Sequence, residues 1–299
     1  MRAGSTPYSR LALAALVAAV YAGCYSAIRA GLHFSPPFRY AGLRALIGGT
    51  VLLALLAARR EPLLPTRRLW PAVLALALIG TLFGFGAMFT SQQHTGAGLA
   101  SVLGNTGPLI VIVLAAIFLA EPITRAKAAA LLLGTTGVLL IALSGVSGGR
   151  AGTSVGALIP LVAALSGASA SVIVKRARLG TEVLSVTAWQ FLVGSIPLLL
   201  LSASTESDRS IQWTPQFLFV LLFLALPGTA FATALWYWLL QRDDVGRLTL
   251  VLFLVPVIGL MLGMALFAER LSAMQGVGVG LALAACGIAA AFATTRQPS

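Results

Sequence analysis

The sequence predicts an all-α membrane protein: ten transmembrane helices arranged as two inverted five-helix repeats, both termini cytoplasmic. Three observations predict this. First, 59% of the 299 residues are hydrophobic and only 9% are charged. Soluble domains carry about a quarter charged residues, so most of this surface faces something other than water. Second, the apolar residues come in runs separated by short polar breaks. Segments 109–119 and 248–267 show no alternation of apolar and polar residues, which excludes the strands of a β-barrel. Third, the two halves resemble each other.

The spans are read near 11–32, 38–58, 69–91, 96–119, 126–146, 153–175, 183–203, 215–240, 246–267 and 273–294. Each is long enough to cross about 30 Å of hydrocarbon at about 1.5 Å per residue. Arg2 and Arg10 before an apolar run resemble a signal peptide, but the run continues well past Gly23 and nine more follow, so the first helix is read as retained. Ser35-Pro36-Pro37 stops it, because proline restricts itself and the residue before it. Segments 62–68, 147–153 and 204–215 read as polar loops. Lys and Arg divide fourteen against six between the two sides, which puts both termini in the cytoplasm of a bacterial inner-membrane, multi-pass protein.

The repeat divides the chain into 1–150 and 151–299. Gly98, Pro108, Glu121 and Gln93 each meet the same residue type 148 positions on, at Gly246, Pro256, Glu269 and Gln241. Nearer the start a shift of 146 sets Arg29 on Lys175, Arg44 on Gln190 and Gly48 on Gly194. Five crossings reverse direction, so the second copy enters the membrane upside down. That architecture belongs to alternating-access transporters, with the site at the repeat interface.

The net charge of +12 is spread over helix edges and not gathered on one face, so no nucleic-acid partner is expected. Cys24 and Cys286 fall in apolar runs and read as buried thiols. No cofactor or metal is expected, and no G-x-x-x-x-G-K-[ST] loop is present to bind ATP. Gly145-Val-Ser147-Gly-Gly149 matches the nucleophile-elbow pattern but follows a helix, with no His or Asp near it, and reads as a loop.

In both copies a Pro in the fourth helix precedes, by thirteen residues, Glu-x-[Ile/Leu]-[Thr/Ser] and a Gly-rich fifth helix. The two read Pro108 to Glu121-Pro-Ile-Thr and Pro256 to Glu269-Arg-Leu-Ser. With Ala22-Gly23, Arg29 and Arg44, this pattern resembles the drug/metabolite transporter superfamily of the EamA type, and within it the YddG-type bacterial amino-acid exporters. The family pattern usually has Trp before the first-helix Gly, and this chain has Ala22 there. The resemblance implies a secondary transporter, not an enzyme, exporting small metabolites by alternating access. Amino acids with aromatic or bulky apolar side chains come first. Multidrug and nucleotide-sugar transport on the same fold are the alternative, and an intramembrane enzyme is a rival of another class. The partners expected are a small-molecule substrate and the bilayer, with the oligomeric state left open.

The candidate substrate-binding residues are Tyr21, Arg44, Phe85, Met88, Ser101, Asn105, Ser169 and Trp236. Aromatic and thioether side chains could wall a pocket for a bulky side chain, and hydroxyls or amides could hydrogen-bond the polar end. Trp189 and Tyr25 are further pocket candidates, Trp238 is read as part of an interfacial belt, and Ser166 and Gln190 offer further polar groups. Arg44 either meets a substrate carboxylate or snorkels to the outer interface or bonds within the fold, the latter two being favoured. Pro108 and Pro256 are hinge candidates, whose freed carbonyls could meet an ammonium; the alternative is a packing kink. Glu121, Glu269, His33 and His94 sit near helix ends and read as capping or interfacial groups.

Overall fold

The computed structural model describes residues 7–94, 107–144, 154–267 and 272–295. Ser101, Asn105 and Glu269 lie outside these, as do the side chains of Gln93 and His94. Among the described residues the backbone forms helices and no strand.

Helix α1 (Pro7–Gly31) ends before Ser35-Pro36, and α2 (Pro37–Ala58) begins with Pro36 extended as its N-cap and Pro37 in the first helical position. The open N–H groups of Phe38 and Arg39 donate to the carboxylate of Glu206, at 2.9 and 3.1 Å. An anion at a helix N-terminus satisfies orphan donors and opposes the helix dipole. Rod α3 is built of Trp70–Ala75, Leu76–Phe83 and Gly84–His94 in succession. Then come α4 (Gly107–Leu119), α5 (Arg125–Ser144), α6 (Ser154–Ala177) and α7 (Val183–Thr205). Rod α8 joins Pro215–Phe223, Leu224–Phe231 and Ala232–Leu240; α9 has two pieces, Val245–Val251 and Leu254–Phe267; α10 is Ala273–Thr295. Among the described residues, six helical stretches are long and apolar enough to cross a membrane: Tyr8–Gly31, Pro37–Ala58, Arg67–Gln92, Ile159–Ala177, Val183–Thr205 and Pro215–Leu240.

Among the described residues α3, α8 and α9 depart from continuous α-helix, and in α8 and α9 a proline accounts for it. The middle pieces of α3 and α8 are π-helical, and they carry the same pattern: Leu76-Ala-Leu-Ile-Gly-Thr-Leu-Phe83 and Leu224-Ala-Leu-Pro-Gly-Thr-Ala-Phe231. In α8, Pro227 has no N–H to give to the ladder, and the Thr229 hydroxyl donates to Leu224 O, five residues back, at 2.7 Å. Such wide turns often mark functional positions. The span expected at 246–267 breaks at Leu252-Phe253. Pro256 lacks the N–H that would reach Leu252 O, and Val255 N–H takes that carbonyl instead at 2.9 Å. Leu252 O, which Pro256 leaves without its usual donor, thus accepts one hydrogen bond within the chain.

Small residues set the closest helix contacts. On α2 a methyl added to Gly49 would lie 2.9 Å from Ala188 O of α7; on α5 one added to Gly137 would lie 2.5 Å from Gly278 O of α10. Loop contacts gather at two ends. Thr66 meets Glu182 and Arg10 meets Asp243 at or near breaks between helices, whereas Phe34 O accepts from Gln212 N–H and Glu206 holds the start of α2.

Candidate functional site

The site is built outward from Arg44. It lies about two turns into α2 and is only 2% exposed. Its Nε–H donates to Thr229 Oγ1 at 2.5 Å and its Nη2 to Gly228 O at 3.3 Å, both on the π-helical turn of α8. The guanidinium lies over the Phe85 ring at 4.3 Å and nearer the edge of Phe89's reach at 5.8 Å. Gly48, one turn further along α2, lets the helices close: an added methyl would stand 2.8 Å from Thr229 Cγ2. Arg44 thus does not snorkel. The apolar neighbours on α1 and α3 and the carbonyl of the wide turn hold it inside. Its Nη1 is buried without a hydrogen-bond partner, and no carboxylate pairs with it among the described residues.

The second half repeats the arrangement with other chemistry. Gln190 stands on α7 where Arg44 stands on α2, and Gly194 where Gly48 stands. A methyl on Gly194 would lie 2.5 Å from Thr81 Cβ, and one on Gly80 would lie 4.0 Å from Gln190 Nε2. Thr81 is fully buried and its Oγ1 has no partner among the described residues. Gln190 Oε1 accepts from the Tyr237 hydroxyl at 3.1 Å.

Thr229, Thr233 and Tyr237 follow at intervals of four, so they share one stripe of α8. Each meets a different helix: Arg44 of α2, Tyr21 of α1 and Gln190 of α7. The same register on α3 reads Thr81, Phe85, Phe89. Both halves thus begin the stripe with a threonine, and at the next two positions α8 carries hydroxyls, on Thr233 and Tyr237, where α3 carries the plain rings of Phe85 and Phe89.

Of the expected site residues, Arg44 and Phe85 are in contact, and Tyr21 reaches the same stripe of α8 through Thr233. Met88 packs, partly buried, on the cluster around Tyr40, Phe89 and Phe217. Trp236 is buried in a different cluster and its Nε1–H points to Ser171 Oγ at 3.4 Å, on α6. The structure does not join it to Phe85. Ser169 is partly buried on α6, and Pro108 is the second residue of α4. Trp189 is no pocket residue: its Nε1–H donates to Leu63 O at 2.9 Å and its ring packs on Trp70. Arg242 lies over Trp238 at 4.1 Å, a cation–π contact at a helix end. Sequence reading missed Thr81, Thr229 and Thr233. The shared Leu-Ala-Leu-x-Gly-Thr-x-Phe pattern was the signal that could have found the first two.

Ion pairs gather where α1 begins. Ala120, at φ +54°, ends α4 with Glu121 N–H returning to Ala115 O, which turns Glu121 toward α9. Its carboxylate accepts from Val245 and Gly246 N–H at 2.9 and 3.1 Å. Lys127 Nζ pairs with Asp244 at 2.8 Å and Glu121 at 3.5 Å, Asp243 pairs with Arg10 and Arg247, and Lys175 Nζ donates to Asp243 O. Burial, then the hydrogen bond to Asp244, pushes the Glu121 carboxyl up. Burial also pushes Asp244 up, but the bonds from Lys127, Glu121 and Arg247 N–H outweigh it and hold that carboxyl below its usual range. Glu121 is thus a helix cap within a network joining both halves. At the opposite end a recess of about 450 Å³ is lined by Pro37, Phe38, Thr90, Thr205, Glu206, Asp208 and Arg209.

With this geometry in place, comparison with known proteins decides the family. The EamA-like transporter family model matches twice, over residues 9–143 and 154–291. The chain belongs to the EamA-like transporter family. It is a multi-pass membrane protein of a transporter family, not an enzyme. Among its relatives, the uncharacterized transporter YoaV of Bacillus subtilis (strain 168) is 29% identical over 91% of this chain and 92% of its own length. A protein of Salmonella typhimurium named "Probable amino-acid metabolite efflux pump" is 29% identical over 91% of each chain. A solved crystal structure shares the fold with a TM-score of 0.80 at 22% identity, covering 95% of this chain and 96% of that one.

Proposed function

We propose that this EamA-like chain is a ten-helix secondary transporter, two inverted five-helix repeats (1–150 and 151–299) with both termini cytoplasmic, in the bacterial inner membrane. It exports small metabolites, first of all amino acids with aromatic or bulky apolar side chains, by alternating access through a site between the repeats. The observation that carries this reading is Arg44: a cation in an apolar interior, with one donor nitrogen unused and no carboxylate to neutralise it among the described residues. A charge buried without a partner is costly, and a substrate carboxylate supplies the partner when it binds. Phe85 under the guanidinium, with Tyr21 and Met88 nearby, offers rings and a thioether to an apolar side chain. Ser169, Ser101 and Asn105 belong to the same proposed site, Trp236 borders it from the separate cluster against which Tyr21 packs, and Pro108 and Pro256 are its proposed hinges. The twofold family match supports the repeat, and the amino-acid metabolite name of the Salmonella relative agrees with the substrate class.

Export in cells tests the reading. Expression of the chain in a strain that overproduces an aromatic amino acid should raise its concentration in the medium several-fold over an Arg44→Gln variant made to the same level. Equal release from both, or release no greater than from cells lacking the chain, would refute it.

A further inference from the structure

Five buried side-chain atoms have no hydrogen-bond partner among the described residues: Arg10 Nε and Arg247 Nε, on the two arginines paired with Asp243, and three away from that ion-pair network, Arg44 Nη1, Thr81 Oγ1 and Thr135 Oγ1. Two of the three fall at equivalent places in the repeat. Arg44 faces the Gly228-Thr229 turn of α8, and its counterpart Gln190 stands beside the Gly80-Thr81 turn of α3. In the first place the threonine is fully used, accepting from Arg44 and donating to Leu224 O. In the second it has no partner, and Gln190 has turned to Tyr237. Fully buried polar groups in folded proteins nearly always have partners, so two orphans at matched positions call for a ligand.

We propose that these two places are the poles of one α-amino-acid subsite, with the carboxylate at Arg44 and the ammonium at Thr81, Gln190 and Tyr237. The subsite rests on the amino-acid reading above and deepens it. The first pole is cationic and offers only donors, which suits a carboxylate. The second carries no charge but has three acceptors: Thr81 Oγ1, the remaining lone pair of Gln190 Oε1 and the Tyr237 phenol oxygen. An ammonium has three N–H groups to satisfy, and neutral acceptors can take them without a carboxylate that would attract cations lacking an acid end. Phe85 lies between the first pole and the helix that carries Gln190. The Arg44 guanidinium stands 4.3 Å from its ring centroid, and the ring stacks at 5.6 Å on Phe191 of α7. A substrate bound across both poles therefore lies along an aromatic ring, where an aromatic or bulky apolar side chain packs. The two repeats, alike in backbone, thus hold opposite ends of a dipolar molecule because one position reads Arg and the other Gln.

The test is equilibrium binding of three labelled ligands to the purified protein: L-phenylalanine, 3-phenylpropanoate, which lacks the amino group, and 2-phenylethylamine, which lacks the carboxylate. Wild-type protein should bind L-phenylalanine about tenfold or more tightly than either analogue. Gln190→Leu and Thr81→Val should bring L-phenylalanine down toward the affinity of 3-phenylpropanoate, whose own binding stays unchanged. Arg44→Gln should weaken both carboxylates and spare the amine, and Gln190→Glu should tighten the amine, which shows that position 190 tolerates change without unfolding. If Gln190→Leu and Thr81→Val weaken L-phenylalanine and 3-phenylpropanoate equally, or neither, the two-pole subsite is overturned and the amino-acid reading survives. If the wild type binds none of the three, both fall.

Discussion

Thr81 and Thr229 occupy the same place in the two repeats, yet their hydroxyls have opposite fates, and a pair of isosteric substitutions measures the difference. Thr229→Val removes the acceptor of Arg44 Nε–H and the donor to Leu224 O. It leaves one nitrogen of a buried cation and one carbonyl of a wide turn unpaired. Interhelical hydrogen bonds in membrane proteins contribute about 0.6 to 1.7 kcal/mol each, and an unpaired buried group costs about 1–3 kcal/mol. The two effects overlap, so about 2 kcal/mol is expected, a fall in melting temperature of roughly 4–8 °C for a domain of this size. Thr81→Val removes a hydroxyl that bonds nothing described and puts a methyl in its place. It should leave the melting temperature unchanged or raise it slightly. The assay is thermal unfolding of both variants in one detergent, with Thr229→Ser as the control that keeps the hydroxyl and should hold most of the stability. Equal losses in the two valine variants would show that Thr229 contributes only shape, and the account of how Arg44 is held would be wrong.

Three further predictions follow from other contacts. Gly137→Ala drives a methyl to 2.5 Å from Gly278 O between α5 and α10, backbone that cannot yield as a side chain would, and should cost about 1–3 kcal/mol in the same unfolding assay. Asp244→Asn should destabilise the protein at neutral pH, where the carboxylate pairs with Lys127. Because that carboxyl stands below its usual range, its contribution is full above the ordinary carboxylate pKa and fades as pH falls through the folded value, so the gap between wild type and variant should close in acid. A gap that widens in acid would contradict this. Reporter fusions after Arg60, Arg178 and Arg242 should report cytoplasm and one after Arg209 periplasm, as the Lys and Arg asymmetry requires. A cytoplasmic signal at Arg209 would remove the ten-helix topology.

Helix ends were legible because proline and charge mark them locally: Pro37 and Pro215 begin α2 and α8 within a residue of where the sequence put them. The break in α9 was half legible. Pro256 announced a lost hydrogen bond, but which donor the freed carbonyl of Leu252 takes depends on where Val255 N–H lies, and the sequence does not encode that choice. The π turns were hidden, since no residue preference sets a π-helix apart from an α-helix; only the matching Leu-Ala-Leu-x-Gly-Thr-x-Phe segments hint that both halves bend alike. For Arg44 the depth and the repeat partner, Gln190, were legible, but the direction of the side chain was not. Snorkelling and bonding to α8 differ only in which helix lies beside α2, and that is decided by Gly48 meeting Thr229. The same reason misplaced Trp189, which reads as a pocket ring until Leu63 O is found beside it.

The central claim is that this chain moves amino acids, and counterflow into proteoliposomes of the purified wild-type protein tests it most directly. Vesicles preloaded with unlabelled L-phenylalanine should accumulate external labelled L-phenylalanine transiently. Unlabelled aromatic and branched amino acids in the panel should compete, and nucleotide sugars and cationic drugs should not. Accumulation that is absent from protein-containing vesicles, or that only drugs or nucleotide sugars abolish, would contradict the account.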